Sequence, residues 1–219
     1  DMIIAIDLDN VLNNLADFWR RRINQKYGYY VEQNELKNYD MAANFPTLDR
    51  EQVEEFLNRY DIWRDLTPTN GAQEIVKALN MTDEVYIVTA RHGFPQYYPT
   101  FVWLRRYFPY IPEKRIIFAQ NKEMIRCDVL IDDCPANLVR DDCVTLQYKQ
   151  PWNSDRVWGT AIVNDWVDVY QKIRAIGGAN EETSGISGWG VTRTASDRKT
   201  VGDYQQSERS YHRSNGDDQ

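Results

Sequence analysis

The sequence predicts an α/β fold: a parallel sheet of about five strands with helices on both faces, and a small, mainly helical insertion between the first and second strands. Three observations predict it. Short apolar runs alternate along the chain with stretches in which apolar residues recur at helical spacing. The runs are nearly continuous in Ile, Val and Leu instead of alternating apolar with polar, the pattern of strands buried on both faces. The polar residues that close several runs, chiefly Asp and Thr, stand at their carboxyl ends, where open parallel sheets form their crevice.

Ile3, Ile4, Ala5 and Ile6 read as the first strand, and the chain then delivers Asp7 and Asp9 on either side of Leu8. Leu12, Leu15, Ala16, Trp19, Ile23 and Tyr27 recur at helical spacing, and Gly28 is a natural stop. Residues 29–46 are aromatic and polar without a clean period and read as loop with short helical pieces. Asp49 opens a helix, because Gln52 follows three residues on and Val53, Phe56, Leu57 and Tyr60 make a stripe. A further helix runs from Asn70, with Ile75, Val76 and Leu79 inward and Asn80 as its stop. Residues 84–88 are the second strand and lead into Thr89, Ala90 and Arg91. Pro99 suits the first turn of a helix carrying Phe101, Val102, Leu104 and Tyr107, which Pro109 ends. Residues 115–118 form a third strand, Asn121 caps a short helix, and residues 128–133 form a fourth strand that ends on Asp132 and Asp133. Pro135 opens another short helix, residues 144–148 form a fifth strand, and 165–176 close the fold as an amphipathic helix. The architecture is Rossmann-like, with residues 1–12 and 68–176 as the core, 13–67 as the insertion and 177–219 as a flexible tail poor in aliphatic residues.

A length of 219 residues suits one ordinary domain with an insertion. The formal charge of -7 argues against wrapping a nucleic-acid backbone, so no stable nucleic-acid binding is expected. No run approaches the roughly 20 apolar residues of a membrane-spanning helix. A cytoplasmic protein without a membrane partner is the expectation. Cys127, Cys134 and Cys143 lack CxxC spacing and only two His are present, which indicates neither a disulfide framework nor a zinc site.

At one sheet edge the sequence therefore collects Asp7, Asp9, Thr89, Asp132 and Asp133. Carboxylates crowded together repel one another unless a counter-charge is present, and oxygen ligands without His or Cys point to Mg²⁺. Lys122, in the first turn behind the Asn121 cap, opposes the helix dipole and makes sense if an anion is held there. Lys114 is the rival, placed in a turn before a strand.

Asp-x-Asp-x-Val after a first strand, Thr after a second, Lys before a fourth and Asp-Asp at its end together resemble the haloacid dehalogenase-like phosphohydrolases. That resemblance implies Asp7 as the nucleophile that attacks phosphorus. It implies Asp9 as the proton donor to the leaving oxygen and later the base for water, with its main-chain carbonyl on Mg²⁺. Thr89, Ala90 and Lys122 would hold phosphoryl oxygens. Asp132 and Asp133 would anchor the metal, Asp133 directly and Asp132 through water. The segment from Asn121 and Lys122 through Asp132, Asp133, Cys134 and Pro135, the stretch Gln150-Pro151-Trp152-Asn153, and the position of the insertion resemble the 5′(3′)-deoxyribonucleotidases in particular.

The chain departs from that pattern in places. Asn10 stands where Gly is common, and Asn accepts unusual backbone angles. Thr89-Ala90-Arg91 replaces Thr-Ser, with Arg91 either binding phosphate or pairing with a carboxylate. Leu15 stands where relatives place an aromatic residue against the base. Tyr39, Met41, Phe45 and Trp63 in the insertion are candidates for a cap over the substrate; the other reading, that they form the cap's own small core, stands level for the first three and is favoured for Trp63. The implied activity is an Mg²⁺-dependent phosphomonoesterase acting on nucleoside monophosphates, deoxyribonucleotides first, through an aspartyl-phosphate, and a homodimer is compatible with it. The alternatives are a phosphatase for another small ester or a 3′-phosphate end, and a non-catalytic binding protein on the same fold.

Overall fold

The computed structural model describes residues 1–57, 62–91 and 94–182. Strands β1 (Ile3–Ile6), β2 (Glu84–Thr89), β3 (Ile116–Phe118), β4 (Val129–Asp132), β5 (Val144–Tyr148) and β6 (Ala161–Val163) form one sheet. All neighbouring strands are parallel, in the order β3-β2-β1-β4-β5-β6. The first five strands follow the expectation. The sixth was not foreseen, because Ala161-Ile162-Val163 is shorter than the runs that identify a strand.

Period-two alternation divides the sheet side chains between two buried faces. Ile4, Ile6, Val85, Ile87, Val129 and Ile131 face the larger core, which also holds residues of α1 (Leu15–Tyr27), α4 (Ala72–Thr82), α5 (Phe94–Tyr107) and α7 (Trp166–Glu182). Ala5, Val88 and Leu130 face the other side, against Cys127 and the partly buried Ile117, Ala119, Ile125 and Cys143. Burial on both faces explains why these strands read as continuous apolar runs.

The insertion holds α1, 3-10 turns at Gln33–Glu35 and Met41–Asn44, α2 (Arg50–Leu57) and α3 (Ile62–Asp65). Its own core joins Ala16, Ile23, Leu36, Met41, Phe45 and Val53, with Trp152 reaching in from beyond β5. Leu15, Phe18, Ile62 and Leu66 pack into the main core instead, so α1 serves both bodies.

Several boundaries move. The first helix starts at Leu15, because Leu12 belongs to a tight turn in which the Leu12 and Asn13 amides donate to the Leu8 carbonyl at 2.9 and 3.1 Å. Gly28 ends it at φ 72°. Helix α4 begins two residues after Asn70 and runs past Asn80 to Thr82. Helix α5 begins at Phe94, with Pro95 in its first turn and Pro99 inside it. Pro95 occupies the position where a missing N–H costs least. The closing helix continues through Gly177 and Gly178 to Glu182, each helical glycine costing about 1 kcal/mol relative to Ala. Tyr60 and residues 183–219 of the expected tail lie outside the described residues. Among the described residues no helix is long and apolar enough to cross a membrane.

The edge formed by β5 and β6 carries a tight joint. A Cβ on Gly159 would stand 2.8 Å from the Thr145 carbonyl oxygen, which also accepts the Thr160 amide at 2.8 Å. Gly159→Ala should therefore cost about 1–3 kcal/mol in chemical denaturation. An unchanged stability would contradict this packing.

Candidate active site

The chain runs from β1 outward through β2 to β3, and then from β4 outward through β5 to β6 on the other side. The strand order thus reverses at the β1–β4 pair, the place where such sheets form their crevice. Register sets the side chains there. Ile6 pairs with Ile131, and the Asp7 amide donates to the Ile131 carbonyl at 2.9 Å, so Asp7 leaves β1 beside Asp132.

Asp7, Asp132 and Asp133 each present a carboxylate oxygen within 4.8 Å of the others, and all three are buried. Lys122 is 5 % exposed and reaches into this group, its Nζ lying 2.6 Å from Asp7 Oδ1 and 2.8 Å from Asp132 Oδ2. Its turn, the 3-10 segment Lys122–Met124, is capped as expected, the Asn121 side chain accepting the Glu123 amide at 3.0 Å. The rival Lys114 is exposed in the turn before β3.

The acidic pair divides its work. Asp132 is satisfied by protein: besides Lys122 it accepts the Cys134 amide at 2.9 Å and the Asn137 amide group at 3.1 Å. Asp133 is buried, and its Oδ2 has no hydrogen-bond partner among the described residues. A buried carboxylate oxygen without a partner costs several kcal/mol unless a cation meets it. Three carboxylates facing one ammonium also leave negative charge uncompensated. An all-oxygen donor set with excess negative charge fits a hard divalent cation, and Asp133 Oδ2 is the oxygen with its coordination open.

The protonation equilibria show the same strain. Burial pushes the Asp7 carboxyl up from the ordinary 3.8 to about 7; Lys122 pulls against it, and Asp132 and Asp9 add to it. Asp133 is held well above the usual carboxylate range by burial and then by the charges of Asp7 and Asp132. Burial works against the Lys122 charge, yet Asp132 and Asp7 outweigh it and raise its pKa.

Asp9 stands apart from this group and is partly exposed. Asn10 adopts φ 62°, the left-handed conformation that its residue type allowed. Its Oδ1 accepts the Ala16 amide at 2.7 Å, and the Gln150 side chain holds its carbonyl at 2.7 Å. The turn places Asn13 Nδ2 2.9 Å from Asp9 Oδ1. Of the two roles open to Arg91, the structure has the carboxylate one: Nη1 lies 2.6 Å from Asp9 Oδ2 and Nη2 3.1 Å from Oδ1. Thr89 is buried at the end of β2, and Ala90 follows with its carbonyl bonded to Arg91 Nη1 at 2.6 Å.

The cap candidates come out differently. Leu15 lies in the main core and Met41 and Phe45 in the insertion's core, at 5, 5 and 0 % exposure. Each was apolar at a position where packing and recognition look alike in sequence. Tyr39 is half-buried, edge-on to Trp152 at 6.3 Å. Trp63 packs edge-on to Trp103 of α5 at 6.4 Å, with the Arg91 guanidinium 4.7 Å from its ring centre. A cavity of about 380 Å³ lies beyond Asn10, lined by Asn13, Asn14, Thr69 and Gln150 among others, and Asp7 and the Asp132/Asp133 pair are not in its wall.

Further residues support the site, Asn153 among them from the Gln150-Pro151-Trp152-Asn153 stretch that the sequence already singles out. Arg140 donates to the Lys122 and Ile125 carbonyls at 3.0 and 2.9 Å and so holds the lysine's turn. Asn153 donates to the Asp133 carbonyl at 2.8 Å. Asn137, on α6 (Pro135–Leu138), had a usable signal, since it follows Asp-Asp-x-Pro on the same helix; Arg140 had none, because its partners are set by tertiary packing.

The carboxyls give a pH test. Groups whose folded pKa is raised, Asp7 and Asp133, stabilise the metal-free fold fully below their ordinary 3.8, and this contribution is lost as pH rises, through about 7 for Asp7 and well above the ordinary carboxylate range for Asp133. Asp83, Asp142 and Asp168 are lowered and act below that window. With chelator present, the melting temperature should fall between about pH 5 and about pH 8, and Mg²⁺ should raise it most at the upper end. A flat profile or the opposite slope would contradict the site.

Comparison with known proteins finds relatives over most of the chain. Residues 1–177 match the model of the 5′ nucleotidase, deoxy (pyrimidine), cytosolic type C family. The chain is 29 % identical over 172 residues to the 5′(3′)-deoxyribonucleotidase of Bacillus subtilis, covering 78 % of this chain and 98 % of that one. It is 30 % identical over 135 residues to the 5′(3′)-deoxyribonucleotidase of Clostridium acetobutylicum, covering 62 % and 74 %. In fold it is similar to a haloacid dehalogenase-like protein from Agrobacterium tumefaciens, with a TM-score of 0.58 at 14 % identity over 80 % of this chain and 98 % of that one. A haloacid dehalogenase-like hydrolase from Streptococcus pneumoniae gives 0.55 at 11 % identity over 78 % and 98 %. The chain belongs to the 5′ nucleotidase, deoxy (pyrimidine), cytosolic type C family of phosphoric monoester hydrolases, and its fold is haloacid dehalogenase-like.

Proposed function

We propose that this protein hydrolyses nucleoside monophosphates, deoxyribonucleotides first, through an aspartyl-phosphate on Asp7 with Mg²⁺ as cofactor. The observation that carries the reading is the convergence of Asp7, Lys122, Asp132 and Asp133 at the strand-order reversal, with one Asp133 oxygen left unpartnered among the described residues. The relatives named deoxyribonucleotidases support the substrate class.

Asp7 is the nucleophile: its carboxylate attacks phosphorus as the bond to the ester oxygen breaks. Lys122 holds Asp7 oriented from one side and offers its ammonium to a phosphoryl oxygen, with the Thr89 hydroxyl and the backbone at Ala90 on the others. Asp9 gives a proton to the departing ester oxygen and later takes one from the water that hydrolyses the aspartyl-phosphate. Asp133 and Asp7 would hold the metal directly and Asp132 through water, with the Asp9 carbonyl completing the set. Bound Mg²⁺ supplies positive charge against the carboxylates and the phosphoryl group.

Purified protein should release phosphate from deoxyribonucleoside monophosphates with Mg²⁺ and stop with EDTA. Asp7→Asn should abolish turnover, and Asp9→Asn should lower it by about 10²–10⁴-fold. Full activity of Asp7→Asn would sink the mechanism. A preference for oligonucleotide 3′-phosphates over mononucleotides would overturn the substrate assignment.

A further inference from the structure

Arg91 is bound in a way that the family resemblance does not require. It is 7 % exposed, and four of its five N–H groups are engaged among the described residues. Nη1 and Nη2 fork onto the two oxygens of Asp9, Nη1 also reaches the Ala90 carbonyl at 2.6 Å, and Nε donates to Thr100 Oγ1 at 2.8 Å. The Trp63 ring lies against the guanidinium. An exposed ion pair of this kind would be worth little, but a buried fork with its back held by α5 and its face by α3 has one geometry available to it.

That geometry assigns the atoms of Asp9. A carboxylate offers about four lone-pair positions. Asn13 Nδ2 and Arg91 Nη2 occupy both positions on Oδ1, and Arg91 Nη1 occupies one on Oδ2. One position on Oδ2 remains open among the described residues. We propose that Arg91 is the positioning residue of the proton-transfer step, holding Asp9 so that Oδ2 alone carries the proton exchanged with substrate and water. This rests on the phosphatase reading above. In the step, Asp9 Oδ2 loses its proton to the ester oxygen while the phosphorus–oxygen bond breaks and the Asp7–phosphorus bond forms. The ester oxygen leaves as an alcohol, and Asp9 is left as the carboxylate that Arg91 holds.

The test uses leaving groups. The nucleoside of a nucleotide leaves as a strongly basic alkoxide unless protonated, whereas p-nitrophenolate leaves without a proton. Because kcat/KM reports steps only through phosphoryl transfer to Asp7, Arg91→Ala should lower it about 10²-fold for a deoxyribonucleoside monophosphate. The loss for p-nitrophenyl phosphate should stay below about tenfold. Arg91→Lys, which keeps the charge without the fork, should recover part of the nucleotide loss and leave the aryl ester nearly at wild type. Equal losses on both esters would overturn the proposal in favour of phosphate binding or general damage, and no loss on either would make Arg91 a bystander. In the metal-free protein, the melting-temperature losses of Arg91→Ala and Asp9→Asn should fail to add in the double variant, and additive losses would overturn the contact. A wild type without turnover on either ester would overturn the phosphatase reading itself, and this assignment with it.

Discussion

The structure depends on one buried cation, the Lys122 ammonium between Asp7 and Asp132. Without it, carboxylates from β1 and β4 would meet at the sheet edge with nothing between them. Removing one member of a buried pair typically costs 3–5 kcal/mol, a large fraction of the stability of a domain this size. The lysine does not finish the task, however. Among the described residues one positive charge faces three carboxylates and Asp133 keeps an unpartnered oxygen, and Asp7 and Asp133 are both displaced toward their neutral forms. The residual strain is the physical argument for a metal, and it comes from the arrangement of the donors.

The scaffold is built to hold that arrangement. Apolar strands buried on both faces set β1 against β4 in register, so that Asp7 and Asp132 emerge side by side. Arg140 fastens the turn that carries Lys122, Asn137 and the Cys134 amide hold Asp132, and Asn153 holds the main chain at Asp133. Asp9 belongs to a second, separate constellation with Arg91 and Asn13. Two carboxylates one residue apart thus occupy different electrical environments, one facing Lys122 and the acidic pair, the other clamped by a guanidinium. Unequal surroundings of this kind let neighbouring acids take different roles.

Much of this was legible in the sequence, for identifiable reasons. Strands buried on both faces leave continuous apolar runs, and the carboxyl-end rule then gathers Asp7, Thr89, Asp132 and Asp133 without any coordinates. Asn10 was readable because few residues other than glycine accept φ 62°. What stayed hidden was tertiary. Leu15, Met41 and Phe45 sit in core clusters, and a hydrophobic side chain carries no mark in the sequence of which surface it will meet. Arg91 had two partners available on charge alone, and only the approach of α5 and Trp63 selects between them. Strand β6 was too short to announce itself, the start of α5 moved because Pro99 is accommodated inside the helix, and the end of α7 moved because Gly177 and Gly178 continue it.

In the proposed reaction Asp7, and no other carboxylate of the cluster, receives the phosphoryl group. Acid quench of the enzyme during turnover of a deoxyribonucleoside monophosphate, followed by proteolysis and mass spectrometry, tests it directly. The account predicts a peptide heavier by one phosphoryl group, with the label on Asp7 and absent from Asp7→Asn. Phosphate release with no labelled peptide, or a label on Asp9, Asp132 or Asp133, would contradict it.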